Sequence, residues 1–227
     1  MSNYNGIKKN KIRRVVQVIE LSDEAECRIC QGAWQLMNVM GGVKPESGKS
    51  YHILSGGKVD MLAHVPWLLV HYRNIRRLTV SSWAISADNI CYLEKLARDG
   101  DVGWVRLIVG DVYASGYKVE WEKVMKLYEE GVFGEVIKGA IHAKLLLLET
   151  EDGEKIVVEG SANCNMNPRI EQSCVSVSAT LYDFYENYIR EVRDQQDATT
   201  AKNVEIDETW KTDNPSGLTL FGEEYLG

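Results

Sequence analysis

The chain has 227 residues, 44% of them hydrophobic, and a formal net charge of −7. Such a length supports one sizeable core, and no run of about eighteen apolar residues marks a membrane-spanning helix, so no membrane partner is expected. The acidity excludes a uniformly basic nucleic-acid coat, yet it is concentrated: from Asp183 onward 11 acids meet 4 bases, which accounts for the whole surplus.

In chain order, residues 1–14 form a basic arm with Lys8, Lys9, Lys11, Arg13 and Arg14 and no acid. The arm lacks the apolar core of a secretion signal, and the five cysteines stand among apolar neighbours as reduced thiols would. A cytoplasmic protein is therefore expected. Val15 to Leu21 predicts a short strand. Asp23 is a candidate N-cap for a helix reaching about Met40, where Gly41-Gly42 would end it. Pro45 to Ser50 resembles the end of a phosphate-binding loop but has Val43 where that loop needs glycine, so no nucleotide cofactor is expected. Val59 to Tyr72 reads as a helix restarted near Pro66. His64 and His71 lack a third ligand, and Cys27-x-x-Cys30 lacks a second pair, so neither predicts a zinc site.

From Leu78 the pattern alternates. Strands are predicted at Leu78–Trp83, Trp104–Val109 and Phe133–Ile137, and helices at Asp88–Arg98 and Tyr117–Glu130. A hairpin follows, with Ile141–Thr150 and Lys155–Glu159 joined by Glu151-Asp152-Gly153. Ser173–Ser178 adds a strand, and Leu181–Arg193 closes as an amphipathic helix. The fold class is α/β, a mixed sheet covered by helices on both faces. The main domain would run from residue 15 to 194, with 195–227 as an acidic extension.

The chemistry concentrates on the hairpin. His142 and Lys144 precede its first apolar run, and Gly160-Ser161-Ala162-Asn163 follow its return strand. Side chains alternate along a strand, so His142 and Lys144 share a face and Glu149 points away. An imidazole, an ammonium, a hydroxyl and a carboxamide would converge there, a set suited to a phosphate ester.

His142-x-Lys144, four residues, Glu149, and then Gly160-Ser161-Ala162-Asn163 resembles the signature of the phospholipase D superfamily of phosphodiesterases. Glu171 resembles the acid that orients the histidine in related nucleases. Two departures stand out: Glu149 replaces the usual aspartate, and the hairpin is longer than typical. The resemblance implies an α/β/α fold and, since the chain holds one motif copy, a homodimer whose two His142 side chains share one site. His142 would be nucleophile in one subunit and general acid and base in the other. Lys144, Asn163 and Ser161 would hold the phosphate oxygens, and Glu171 would brace His142, with no metal or cofactor required.

The leading expectation is thus a metal-independent nuclease forming a phosphohistidine intermediate, with nucleic acid as its substrate. Arg73, Arg76, Arg77 and Arg169 are the candidate substrate-binding cations, since affinity for nucleic acid comes largely from neutralised phosphates. The alternatives are a lipid or small-molecule phosphodiesterase or transphosphatidylase, and a catalytically silent DNA-binding module.

Overall fold

The computed structural model describes residues 24–40, 42–56, 59–165 and 169–201. The basic arm, the predicted Val15–Leu21 strand and the acidic end beyond residue 201 lie outside the described residues. The elements are α1 (Glu24–Met40), β1 (Ser50–Ser55), α2 (His64–Tyr72), β2 (Ile75–Ser82), α3 (Ala87–Asp99), β3 (Val105–Gly110), α4 (Tyr113–Gly116), α5 (Lys118–Glu129), β4 (Glu135–Gly139), β5 (Lys144–Thr150), β6 (Lys155–Gly160), β7 (Glu171–Val177) and α6 (Ala179–Ala201). A 3-10 turn, Met61–Ala63, leads into α2. Helix α6 runs seven residues past the expected domain end at 194.

The seven strands form one sheet in the order β1-β7-β6-β5-β2-β3-β4. β2, β3 and β4 pair in parallel, whereas β5 pairs antiparallel with both β2 and β6. β6 and β7 are antiparallel, as are β7 and β1. Alternation along the strands divides the core in two. Leu78, Val80, Leu107, Leu146, Leu148 and Val158 pack with α1, α2, α3 and α5. The opposite parity, Ile108, Leu147 and Val157, packs under Tyr182 and Ile189 of α6. The expected mixed sheet with helices on both faces is what forms.

Two boundaries differ from the sequence reading. β1 went unpredicted, because its burial alternates irregularly and Leu54 faces outward; it is an edge strand held through β7. The helix expected at Tyr117–Glu130 forms as α5, and the single turn α4 that precedes it went unpredicted. Pro66 sits in the first turn of α2, where its missing N–H costs nothing, so the helix starts just ahead of it.

One buried charge network fastens α6 to the sheet. Arg106 of β3 binds Glu135 of β4 at 2.6 Å and Glu186 of α6 at 2.8 Å, with only 6% of its side chain exposed. The sequence shows a lone arginine in an apolar strand and gives no hint that two acids meet it.

Candidate active site

The parallel half of the sheet ends where the antiparallel half begins. The carboxyl end of β2, the amino end of β5, the carboxyl end of β6 and the amino end of β7 therefore share one edge. Lys144 lies opposite Gly160 in the β5–β6 register, and Gly160 lies opposite Ser173 of β7. A Cβ at residue 160 would stand 2.9 Å from the Gln172 carbonyl oxygen and 3.0 Å from Met61 Cε. Glycine at this point lets the strands and the 3-10 turn close together.

His142 is exposed, just ahead of β5, and the buried Lys144 ammonium meets it. Lys144 Nζ lies 2.6 Å from His142 Nδ1 and donates to the His142 carbonyl oxygen at 2.8 Å. The turn carrying both is pinned by Ser81, whose hydroxyl donates to the Ala143 carbonyl at 2.9 Å. Burial lowers the Lys144 pKa below the ordinary lysine value, and the Glu171 carboxylate acts in the opposite direction.

Ser161 donates to the Glu171 carboxylate and accepts from the Gln172 N–H at 3.0 Å. A serine has one proton to give, and here it goes to Glu171. Ser161 was expected to donate to phosphate; in this arrangement it holds the acid instead. Glu171 itself is buried at the start of β7. The next motif residue is placed by the loop after β2. Cys164 N–H donates to Ser82 Oγ at 3.0 Å, Ser86 N–H donates to the Cys164 carbonyl at 3.0 Å, and Asn163 Oδ1 lies 3.4 Å from Ser82 Oγ. The segment from Ser161 to Cys164 is thus tied at both ends, with Asn163 between the ties.

Glu149 behaves as its parity predicted. It lies five residues beyond Lys144 on β5, roughly 17 Å along the strand, and pairs with Arg76 at 3.5 Å. The arginine cluster needs correction as part of this site. Arg73 caps the end of α2, Arg76 meets Glu149, and Arg77 lies over the Trp104 ring at 4.6 Å. All three sit at the amino end of β2, about 20 Å from Ser82 at its other end. Sequence proximity to a strand does not say which end of it faces the chemistry. Arg169 lies exposed two residues before Glu171, on the correct edge.

His64 is a core residue: its ring nitrogens meet the Met61 carbonyl at 3.0 Å and Ser173 Oγ at 2.9 Å. Burial pushes its pKa down to about 4. Among the described residues, no group of three or more His, Cys, Asp and Glu side chains could hold a metal ion. Nor is any helix among them long and apolar enough to cross a membrane. Sequence reasoning missed Ser82, which looks like an ordinary strand-end serine until its loop pairing is seen. It also passed over Trp83, whose ring lies 6.2 Å from that of His142.

No protein-family model matches the chain, and no curated protein matches it by sequence. Among solved structures it is similar to polyphosphate kinase from Porphyromonas gingivalis, with 14% identity and a TM-score of 0.51. That likeness covers 70% of this chain and 28% of the kinase, so the chain spans under a third of that protein. TrmBL2, an archaeal chromatin protein, is 10% identical over 76% of this chain and 63% of its own, with a TM-score of 0.44. NucT from Helicobacter pylori is 13% identical over 64% of this chain and 97% of its own, with a TM-score of 0.42. The fold is phospholipase D-like, so the resemblance first carried by the His142 motif extends to the sheet that holds it.

Proposed function

We propose that this chain is a metal-independent phosphodiesterase acting on nucleic acid through a phosphohistidine intermediate, at a site shared by two copies of the chain. The observation that carries the reading is the exposed His142 imidazole held against the buried Lys144 ammonium, at the edge where Asn163 and the Ser161–Glu171 pair also stand.

In the first step a ring nitrogen of His142 attacks phosphorus. An N–P bond forms, the P–O bond to the leaving group breaks, and the leaving oxygen takes a proton from the His142 of the second copy. In the second step that same imidazole removes a proton from water, whose oxygen displaces His142 and releases the phosphate. Lys144 supplies fixed positive charge to the non-bridging oxygens, and the Asn163 amide can donate to them as charge builds. Glu171 is a positioning residue, anchored by Ser161.

One motif imidazole per chain leaves the leaving group without an acid at the site, which is the reason for a second copy. Leu54 and Ile170, each 80% exposed, would be covered if the second copy meets this edge. They flank the Glu171 end of β7, where Leu54 pairs with Gln172.

The test is turnover of plasmid, single-stranded DNA, RNA and bis(p-nitrophenyl) phosphate in EDTA, with His142→Ala as control. Nucleic-acid cleavage should fall on the order of 10³-fold or more in the variant. Cleavage of the small ester alone would point to a lipid or small-molecule phosphodiesterase. Salt-sensitive DNA binding without turnover would leave a silent binding module. Light scattering should give a dimer, and a strict monomer during turnover would remove the shared site.

A further inference from the structure

We propose that the edge formed by Trp83 and Tyr117 is a stacking surface for unpaired bases, so that the substrate is single-stranded nucleic acid. This rests on the phosphodiesterase reading for what happens at His142, but its own evidence is separate.

Trp83 follows the last residue of β2 and is half-buried, its ring tilted 46° to that of His142 at 6.2 Å. Its indole occupies space that only glycine leaves free. A Cβ at Gly110 would lie 2.7 Å from Trp83 Cδ1, so the end of β3 cradles the ring beside the reacting group. The next loop on the same edge carries Tyr117. One face of that ring stacks on the buried Tyr113 at 5.1 Å and 20°, yet the residue stays 39% exposed. Tyr113 in turn donates its hydroxyl to the Ile85 carbonyl at 2.7 Å, which ties the Tyr117 loop to the loop that bears Trp83. Two aromatic rings are therefore presented by two linked loops, and the core holds both.

Cations accompany them. Lys118 follows Tyr117, and Lys138 lies near the carboxyl end of β4, both exposed. Two acids stand nearby: Asp111 turns its carboxylate onto the Val112 N–H at 2.9 Å, and Glu120 lies in the first turn of α5, close enough to act on Tyr113. Aromatic faces interleaved with lysines along a path to the phosphate site suit a strand whose bases are splayed outward. In a duplex each base face is covered by its neighbours and cannot stack on protein. A lipid headgroup offers no π face at all.

The experiment measures binding by the full-length chain carrying His142→Ala, which prevents turnover. The probe is a short fluorescently labelled DNA strand, free or annealed to its complement. Trp83→Ala should weaken single-strand affinity by about 5- to 150-fold, the worth of one base–aromatic stack. Duplex affinity should change far less, and Trp83→Phe should restore most of the loss. Tyr117→Ala, farther from the catalytic residues, should give a loss of the same kind. The slope of affinity against salt should stay constant, because the phosphate contacts remain. A role in folding alone would weaken both probes together and would not be rescued on one of them. Equal affinity for strand and duplex, or no effect of either alanine, overturns the proposal. Wild-type cleavage of duplex as fast as strand would overturn it while leaving the phosphodiesterase standing. Trp83-dependent strand binding without wild-type turnover would do the reverse.

Discussion

Replacing Ser161 by alanine tests whether the motif serine serves the phosphate or the acid. In the structure its hydroxyl donates to Glu171 and accepts from the Gln172 N–H. A hydrogen bond to a charged group is worth about 1.5–3 kcal/mol net, and a neutral one about 0.5–1.5 kcal/mol. Ser161 and Gln172 are exposed, so water can replace the neutral bond; Glu171 is 8% exposed and far less accessible. The expected loss on Ser161→Ala is therefore about 2 kcal/mol, or roughly 4–8 °C in Tm for a domain of this size. Urea denaturation of Ser161→Ala, Glu171→Gln and the double variant closes a cycle. Residues that share one bond should couple by about 0.5–3 kcal/mol. Turnover measured on the same variants should be non-additive too, since Ser161 acts through Glu171. If the two losses simply add, in stability and in rate, the pair does not function as one unit and Ser161 has an independent role.

The remaining expectations concern the core around the site. His64 has a folded pKa of about 4 against an ordinary value near 6.5, so the unfolded chain binds the proton first as pH falls. Its contribution to stability is complete above pH ~6.5 and is lost as pH drops toward ~4, about 3 kcal/mol in all. His64→Gln should flatten that dependence in urea titrations at pH 7.5 and 4.5, and an unchanged slope would assign it to other groups. Arg106→Met leaves Glu186 without this cation and Glu135 with only the longer contact to Arg193 at 3.8 Å, and should cost about 3–5 kcal/mol. A loss below about 1 kcal/mol would show that this network does little to hold α6.

Much of this molecule was legible in its sequence because the signals were local and periodic. The apolar run from Leu145 to Leu148 announced a strand buried on both faces, and parity correctly sent Glu149 away from Lys144. The motif residues were visible as chemistry, and the structure brings His142, Lys144, Ser161, Asn163 and Glu171 to one edge. What could not be read was pairing between distant segments. The Ser161–Glu171 bond, the Ser82 tie to Cys164 and the placement of Trp83 over Gly110 depend on which strand ends are neighbours. The arginine cluster failed for the same reason: Arg73, Arg76 and Arg77 are near β2 in sequence but at its wrong end.

The reversal of strand direction between β2 and β5 has a consequence for how such a protein can change. Every proposed reacting group comes from the antiparallel half or, for His142, from the short turn leading into it, whereas the loop after β3 reaches the same rim from the parallel half. Selection could therefore redraw what is grasped, by lengthening or repainting the loop after β3, without disturbing the groups that break the bond. A scaffold divided in this way lends itself to a common reaction with diverse cargo.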